Sequence, residues 1–314
     1  MNQVAGSIEP RSDTLFRWLL AAVGLAILGL LLAIVALLFV GSGDVFRTFG
    51  LDFIFSSTWD VSAAIYGALP FIAGTVATSV LAMVIAIPLG ILTAVFLSEM
   101  APSWLAVPMT FAVELIAALP SVIVGLFGLF VLSVITSELI ETPIVTGLGA
   151  LPFLGSGTGG ADLMTASLIL ALMVTPTIVA ITQEVFATIP QVHREAMLGL
   201  GGTRWEVVRK VILPLSRAGI TGAAILALGR AMGETMAVAM TIGNIDQVPT
   251  GLFDPAQTIA SKIALNFNEA SLGLEKNSLI ALGLVLMFVT VAMVLVARVL
   301  VRGRSLADLG VQGQ

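Results

Sequence analysis

Charged residues fall along this chain in clusters separated by long apolar runs. Residues 18–43 lie between Arg17 and Asp44, 61–98 between Asp60 and Glu99, and 115–137 between Glu114 and Glu138. Residues 163–183 lie between Asp162 and Glu184, and 277–297 between Lys276 and Arg298. A sixth apolar stretch, 218–245, is interrupted by Arg230 and Glu234. A bilayer core of about 30 Å is crossed by about 20 helical residues, so each run is long enough, and 61–98 holds a span plus an entry segment. Backbone groups in lipid must bond internally, and the alternating strands of an outer-membrane barrel are absent from the pattern. The pattern predicts an all-α polytopic protein with six transmembrane helices. Segment 141–161, rich in Gly, Pro and Thr, predicts a loop; 246–276 is the longest polar stretch on the same side, and 99–110 is a short loop on the other.

Composition agrees. Hydrophobic residues make up 58% of the 314 residues, charged residues 11%, and mean hydropathy is +1.09. Soluble domains carry about 25% charge, so this chain lacks the polar residues to cover a water-exposed surface. With no cysteine and a single histidine, His193, thiolate chemistry and multi-histidine metal sites are excluded. His193 itself reads as a solvated residue.

The net charge of −5 matters less than where the cations sit. Ten of the fourteen Lys and Arg fall on one set of connections, among them Arg11, Arg17, Arg194, Arg204, Arg209, Lys210, Arg217 and Arg298; Arg47, Lys262 and Lys276 fall on the other. The positive-inside rule places both termini and the 184–217 connection in the cytoplasm. The expected organisation is a cytoplasmic tail at 1–17, an uncleaved anchor helix at 18–43, a membrane domain at 61–300 and a cytoplasmic tail at 301–314.

The connection between spans four and five carries the densest local signals. Pro190 opens a helix, Gly201 and Gly202 end it, and Thr203 with Glu206 forms a capping box for a second helix. That second helix is expected to place Trp205, Val208 and Ile212 on one face, to pair Glu206 with Lys210 at i,i+4, and to stop at Pro214. A solvated connector or a DNA-binding helix-turn-helix are the alternatives, the latter opposed by two ends tied into the bilayer.

Residues 195–214, EAMLGLGGTRWEVVRKVILP, resemble the EAA motif of ABC importer permeases. Glu195, Ala196, Gly201, Leu213 and Pro214 match, while Met197 and Val211 are apolar replacements. The stretches YGALPFIAGTVATS (66–79), ELIAALPSVIVGLFGLF (114–130) and LGRAMGETMAVAMTIGN (228–244) further resemble the PstC-type permeases of phosphate-specific ABC importers. The resemblance covers most of 60–300. It implies a type I (MetI-like) importer fold in a bacterial inner membrane, with 190–214 as the coupling helices on the ATPase. The partners it implies are a PstA-type second permease, two PstB-type ATPase subunits and a periplasmic PstS-type phosphate-binding protein. Permeases for molybdate, sulfate or phosphonate share the motif, so another oxyanion is the alternative cargo; a secondary transporter is a more distant alternative.

On this reading Glu195, Ala196, Met197, Gly201, Thr203, Trp205, Leu213 and Pro214 couple to the ATPase. Arg230 and Glu234, i,i+4 in span five, are expected to pair on one helical face, where a lone charge would cost about 2.5–3.5 kcal/mol. Arg230 offers bidentate donors suited to phosphate and is assigned to the substrate pathway with Glu234; a purely structural ion pair is the alternative. Thr235, Thr241 and Asn244, with Thr75, Thr78, Ser79 and Ser121, are neutral pathway candidates, although such hydroxyls often bond their own backbone. Pro120 is expected to kink span three, with Glu114 near its cytoplasmic end. The chain has no phosphate-binding G-x-x-x-x-G-K-[ST] loop and no nucleophile–base set. It is therefore expected to be non-catalytic and to bind no cofactor, with ATP and Mg held by the partner ATPase.

Overall fold

The computed structural model describes residues 11–148, 154–155, 159–271 and 273–309. These residues are helical apart from their connections and two isolated bridges, Asp60–Ile65 and Gly243–Ala256. The helices are α1 (Arg11–Phe49), α2 (Asp52–Phe55), α3 (Leu69–Val95), α4 (Ser103–Ala118), α5 (Ser121–Phe127), α6 (Ser133–Thr136), α7 (Thr142–Leu148), α8 (Leu163–Ala187), α9 (Gln191–Gly199), α10 (Arg204–Val207), α11 (Leu213–Gly233), α12 (Met236–Thr241), α13 (Ile259–Asn266) and α14 (Leu274–Leu309). Wide π turns join several of them: Phe96–Met100 extends α3, Gly128–Leu132 and Ser137–Glu141 link α5, α6 and α7, and Val208–Ile212 links α10 to α11. Among the described residues, six continuous stretches are long and apolar enough to cross a membrane: Phe16–Phe49, Leu69–Met100, Ser121–Gly147, Leu163–Ala187, Arg204–Gly233 and Leu274–Val299.

Helix α8 sits at the centre. Its Leu170, Val174 and Ile178 share one buried cluster with Ala82 and Ala86 of α3 and Ala227 of α11. Small residues set the spacing, since a Cβ added at Gly90 would lie 2.7 Å from Ile178 Cγ2. Asp162 starts α8 by accepting from the Thr165 N–H at 2.8 Å, a cap worth about 1 kcal/mol. At the other extreme, α1 leaves its apolar surface uncovered through most of its length, with Trp18, Leu25 and Leu37 exposed. An apolar face of that extent belongs in lipid rather than water. Its C-terminal half docks on α14, where Phe39 and Phe288 meet edge to face at 6.1 Å and Gly41 admits Ile280.

Several expectations are corrected. Segment 99–110 is mostly not a loop: α4 runs through it, with Pro108 inside the helix, and the third span starts at Ser121 instead of 115. Pro120 does more than kink that span. Leu119 and Pro120 are extended, with ψ of 134° and 136°, and separate α4 from α5, because the residue before a proline is driven out of the helical region. Pro214 does not stop its helix. The π turn Val208–Ile212 directly precedes it, and the widened backbone accommodates a ring that would clash with an ordinary turn. Segment 141–161 begins as helix α7, while 149–153 and 156–158 lie outside the described residues, as do 1–10 and 310–314 of the expected tails.

At the end of the bundle away from α9, α7 and α8 are linked by two enclosed acids. Glu141 and Asp162 are 0% and 2% exposed. Glu141 Oε2 accepts from the Gly160 N–H at 3.2 Å, while Glu141 Oε1 and Asp162 Oδ2 have no hydrogen-bond partner among the described residues. Burial pushes the Asp162 carboxyl above its ordinary range, against the hydrogen bond from Thr165 that pulls it down.

Candidate functional site

Two interrupted helices meet beside α8. The first break is Leu119–Pro120, before α5. The second follows Gly233, where Glu234 is extended (ψ 131°) and Thr235 precedes α12. Helices α5 and α12 then pack side by side in parallel: Gly125 lies against Ala237 and Met240, and Gly128 against Thr241. Broken helices at membrane depth are tolerated where they are enclosed by protein or line a cavity.

The break separates the two charges of span five. Arg230 and Glu234 do not share a helix and do not pair. Glu234 Oε1 instead accepts from the Thr235 N–H at 3.2 Å at the start of α12. Arg230 donates from Nη1 to Thr177 Oγ1 of α8 at 3.2 Å. Thr177 lies near the middle of α8, so Arg230 sits midway along the bundle. It is also exposed. A guanidinium at that depth is costly against lipid, so it belongs toward a hydrated cavity or another subunit. Thr177 was not legible as a site residue; the only local sign is its place in Thr175-Pro176-Thr177, where Pro176 lacks a backbone donor.

The neutral candidates divide. Thr75, Thr78, Ser79 and Thr241 are buried. Thr75 Oγ1 donates to Phe71 O and accepts from the Ile259 N–H at 2.9 Å, fastening α13 to α3. Thr78 donates to Gly74 O and Thr241 to Ala237 O, the self-bonding pattern that opposes a pathway role. Asn244 adopts a left-handed φ of 53°, and its Nδ2 donates to Ala239 O at 2.6 Å. Thr235 and Ser121 are half-buried and flank the two breaks. Glu114 is exposed on α4.

The second constellation is the α9–α10 hairpin. Gly201 takes φ +84°, the left-handed conformation glycine supplies at a helix end, and the Gly202 N–H returns to Met197 O at 3.0 Å. Both halves of the capping box form: Thr203 accepts from the Glu206 N–H at 3.3 Å, and Glu206 Oε2 accepts from the Thr203 N–H at 3.0 Å. Lys210 reaches Glu206 at 2.8 Å. Val208 and Ile212 are buried as expected, together with Val207, but Trp205 is not on that face. It is 50% exposed. Glu195, Ala196, Gly201, Thr203 and Pro214 are exposed, and Met197 and Leu213 half-buried. Val192, Leu198, Leu200 and Trp205 are thus apolar side chains left exposed on the hairpin, as befits a surface another chain covers.

A model of the family "binding-protein-dependent transport system inner membrane component" matches residues 86–305. The chain belongs to this family of importer permeases. A phosphate transport system permease protein PstC from Pasteurella multocida is 42% identical over 92% of this chain and 91% of its own. Another PstC, from Mesorhizobium japonicum, is 43% identical over 91% of this chain and 89% of its own. A solved bacterial alginate ABC transporter, in complex with a periplasmic protein, aligns over 91% of this chain and 94% of the matched one at a TM-score of 0.57 and 19% identity. That likeness concerns the fold. The permease fold therefore brings together a hairpin at one end, a mid-bundle arginine, and two helix breaks, one of them just past that arginine.

Proposed function

We propose that this chain is the membrane subunit of an ATP-driven importer and forms, with a second permease, the path for inorganic phosphate. The observation that carries the cargo is its likeness to PstC permeases over about nine-tenths of its length. The exposed Arg230, held by Thr177 rather than by a carboxylate, supports that reading: its fork is free to meet an anion with two parallel donors. Arg230, Glu234, Thr235 and Ser121 are the pathway residues the geometry favours. Thr75, Thr78, Ser79, Thr241 and Asn244 are better read as packing groups beside it.

The hairpin end lies in the cytoplasm with both termini. Val192, Leu200 and Trp205 seat on a PstB-type ATPase, which holds ATP and Mg and performs the hydrolysis; this chain carries none of that chemistry. A PstS-type binding protein delivers phosphate at the opposite end, and a PstA-type permease completes the path. Closure of the ATPase pair moves α9, and the spans alternate between outward and inward access. The test is ATP hydrolysis by the complex in liposomes with the binding protein supplied. Stimulation by phosphate and not by sulfate or molybdate is expected; stimulation by another oxyanion alone would discard phosphate as the cargo.

A further inference from the structure

The hairpin is joined to the spans by more than its two chain ends. Arg194, the residue before Glu195, turns back toward the bundle. Its Nη2 donates to Glu99 Oε1 at 2.9 Å and its Nε to Glu99 Oε2 at 3.3 Å, a forked pair. The same guanidinium donates to the Ile189 carbonyl at 2.7 Å and the Phe186 carbonyl at 2.9 Å. These carbonyls sit at the end of α8, where acceptors lack intrahelical partners and the helix dipole favours a cation. Glu99 sits in the π turn that ends the second span. The two side chains are only 16% and 12% exposed, so the pair is sheltered from the water that makes surface ion pairs weak.

One side chain therefore ties α9 to the ends of two spans, reaching Glu99 across 95 residues of sequence and Phe186 across 8. Those spans, α3 and α8, are interlocked along their length, as at Gly90 and Ile178. On its other side α9 continues into Gly201 and Gly202, an exposed turn leading to the fifth span. Below the clamp, Met197 of α9 packs on the buried cluster that Val207 and Val208 form with Val95, Leu97 and Phe186. Helix α8 in turn carries Thr177, the partner of Arg230.

We propose that Arg194 is a positioning residue for energy coupling: through Glu99 and the end of α8 it makes the ATPase-facing helix and spans two and four move as one body. The inference rests on the reading that α9 seats on an ATPase. Lysine does not replace this arginine, because a point charge cannot fork across Glu99 and serve two carbonyls at once.

The test uses the full complex in liposomes, with phosphate uptake and ATP hydrolysis measured together in wild type, Arg194→Ala, Arg194→Lys and Glu99→Gln. Each variant is expected to retain the ATPase on purification and to keep its basal hydrolysis. Phosphate moved per ATP is expected to fall about tenfold in Arg194→Ala, within the usual range of coupling between sites, and less in Arg194→Lys. Should Arg194→Ala fail to assemble, the lysine and glutamine variants decide on the same ratio. An unchanged ratio in assembled complexes would overturn the proposal and leave the clamp a purely structural brace. Absence of any ATPase from the wild-type complex would instead remove the functional reading beneath it.

Discussion

Three glycines in the hairpin separate three physical effects. Gly201 has φ +84° and nothing within 4 Å of an added Cβ, so Gly201→Ala meets only the backbone penalty of the left-handed region, about 1–2 kcal/mol. At Gly202 the new Cβ would stand 2.8 Å from Met197 O, the carbonyl that accepts the Gly202 N–H. Gly202→Ala must open that turn, an overpacking cost of about 1–3 kcal/mol. Gly199 is helical with open space around it, so Gly199→Ala removes a helix penalty of about 1 kcal/mol. A change of one to two kcal/mol alters a local opening population about 5–30-fold. Hydrogen exchange of the peptide spanning 195–207, in the membrane-reconstituted complex, reads this directly. Exchange is expected to accelerate by that factor in Gly201→Ala and Gly202→Ala and to slow in Gly199→Ala. Equal exchange in Gly199→Ala and Gly201→Ala would refute the assignment of the turn to backbone conformation.

Other outcomes follow from the same geometry. Thr203→Ala removes the cap of α10 and should destabilise the hairpin by about 1 kcal/mol, seen as faster proteolysis after Arg204. The Asp162 carboxyl is raised by burial, so its contribution to stability is fully present below the ordinary aspartate range and is lost as pH climbs toward the raised value. Thermal unfolding in detergent should show higher stability at pH 5 than at pH 8, with Asp162→Asn flattening the difference; an unchanged pH dependence in that variant would contradict the origin assigned. The chain has no cysteine, so single substitutions report sidedness. Ser103→Cys, at an exposed position, should react with an impermeant thiol reagent only from the cytoplasmic face and Ser62→Cys only from the outer one.

The spans were legible because lipid demands about 20 apolar residues in a row, a constraint that local composition satisfies or does not. The hairpin was legible because Gly201, Thr203 and Glu206 act on neighbours within a few residues. What escaped depends on distance or on backbone detail. Glu99 and Arg194 meet across 95 residues, and Arg230 and Thr177 across 53, with no local sign of either pairing. The i,i+4 spacing of Arg230 and Glu234 presumes an unbroken helix, which Gly233 and the extended Glu234 interrupt. The π turns have no composition of their own, yet one of them lets the fifth span run on through Pro214. Glu141 read as the start of a loop and Asp162 as the boundary of a span, and only the fold encloses them together.

The most direct test is phosphate uptake by the reconstituted complex in wild type and Arg230→Ala, with membrane abundance and ATPase retention matched. Binding-protein-dependent, ATP-driven uptake of phosphate that collapses in Arg230→Ala is the expected result. Wild-type uptake by the Arg230→Ala complex would take the arginine out of the path, and no phosphate uptake by a wild-type complex that imports another oxyanion would contradict the cargo itself.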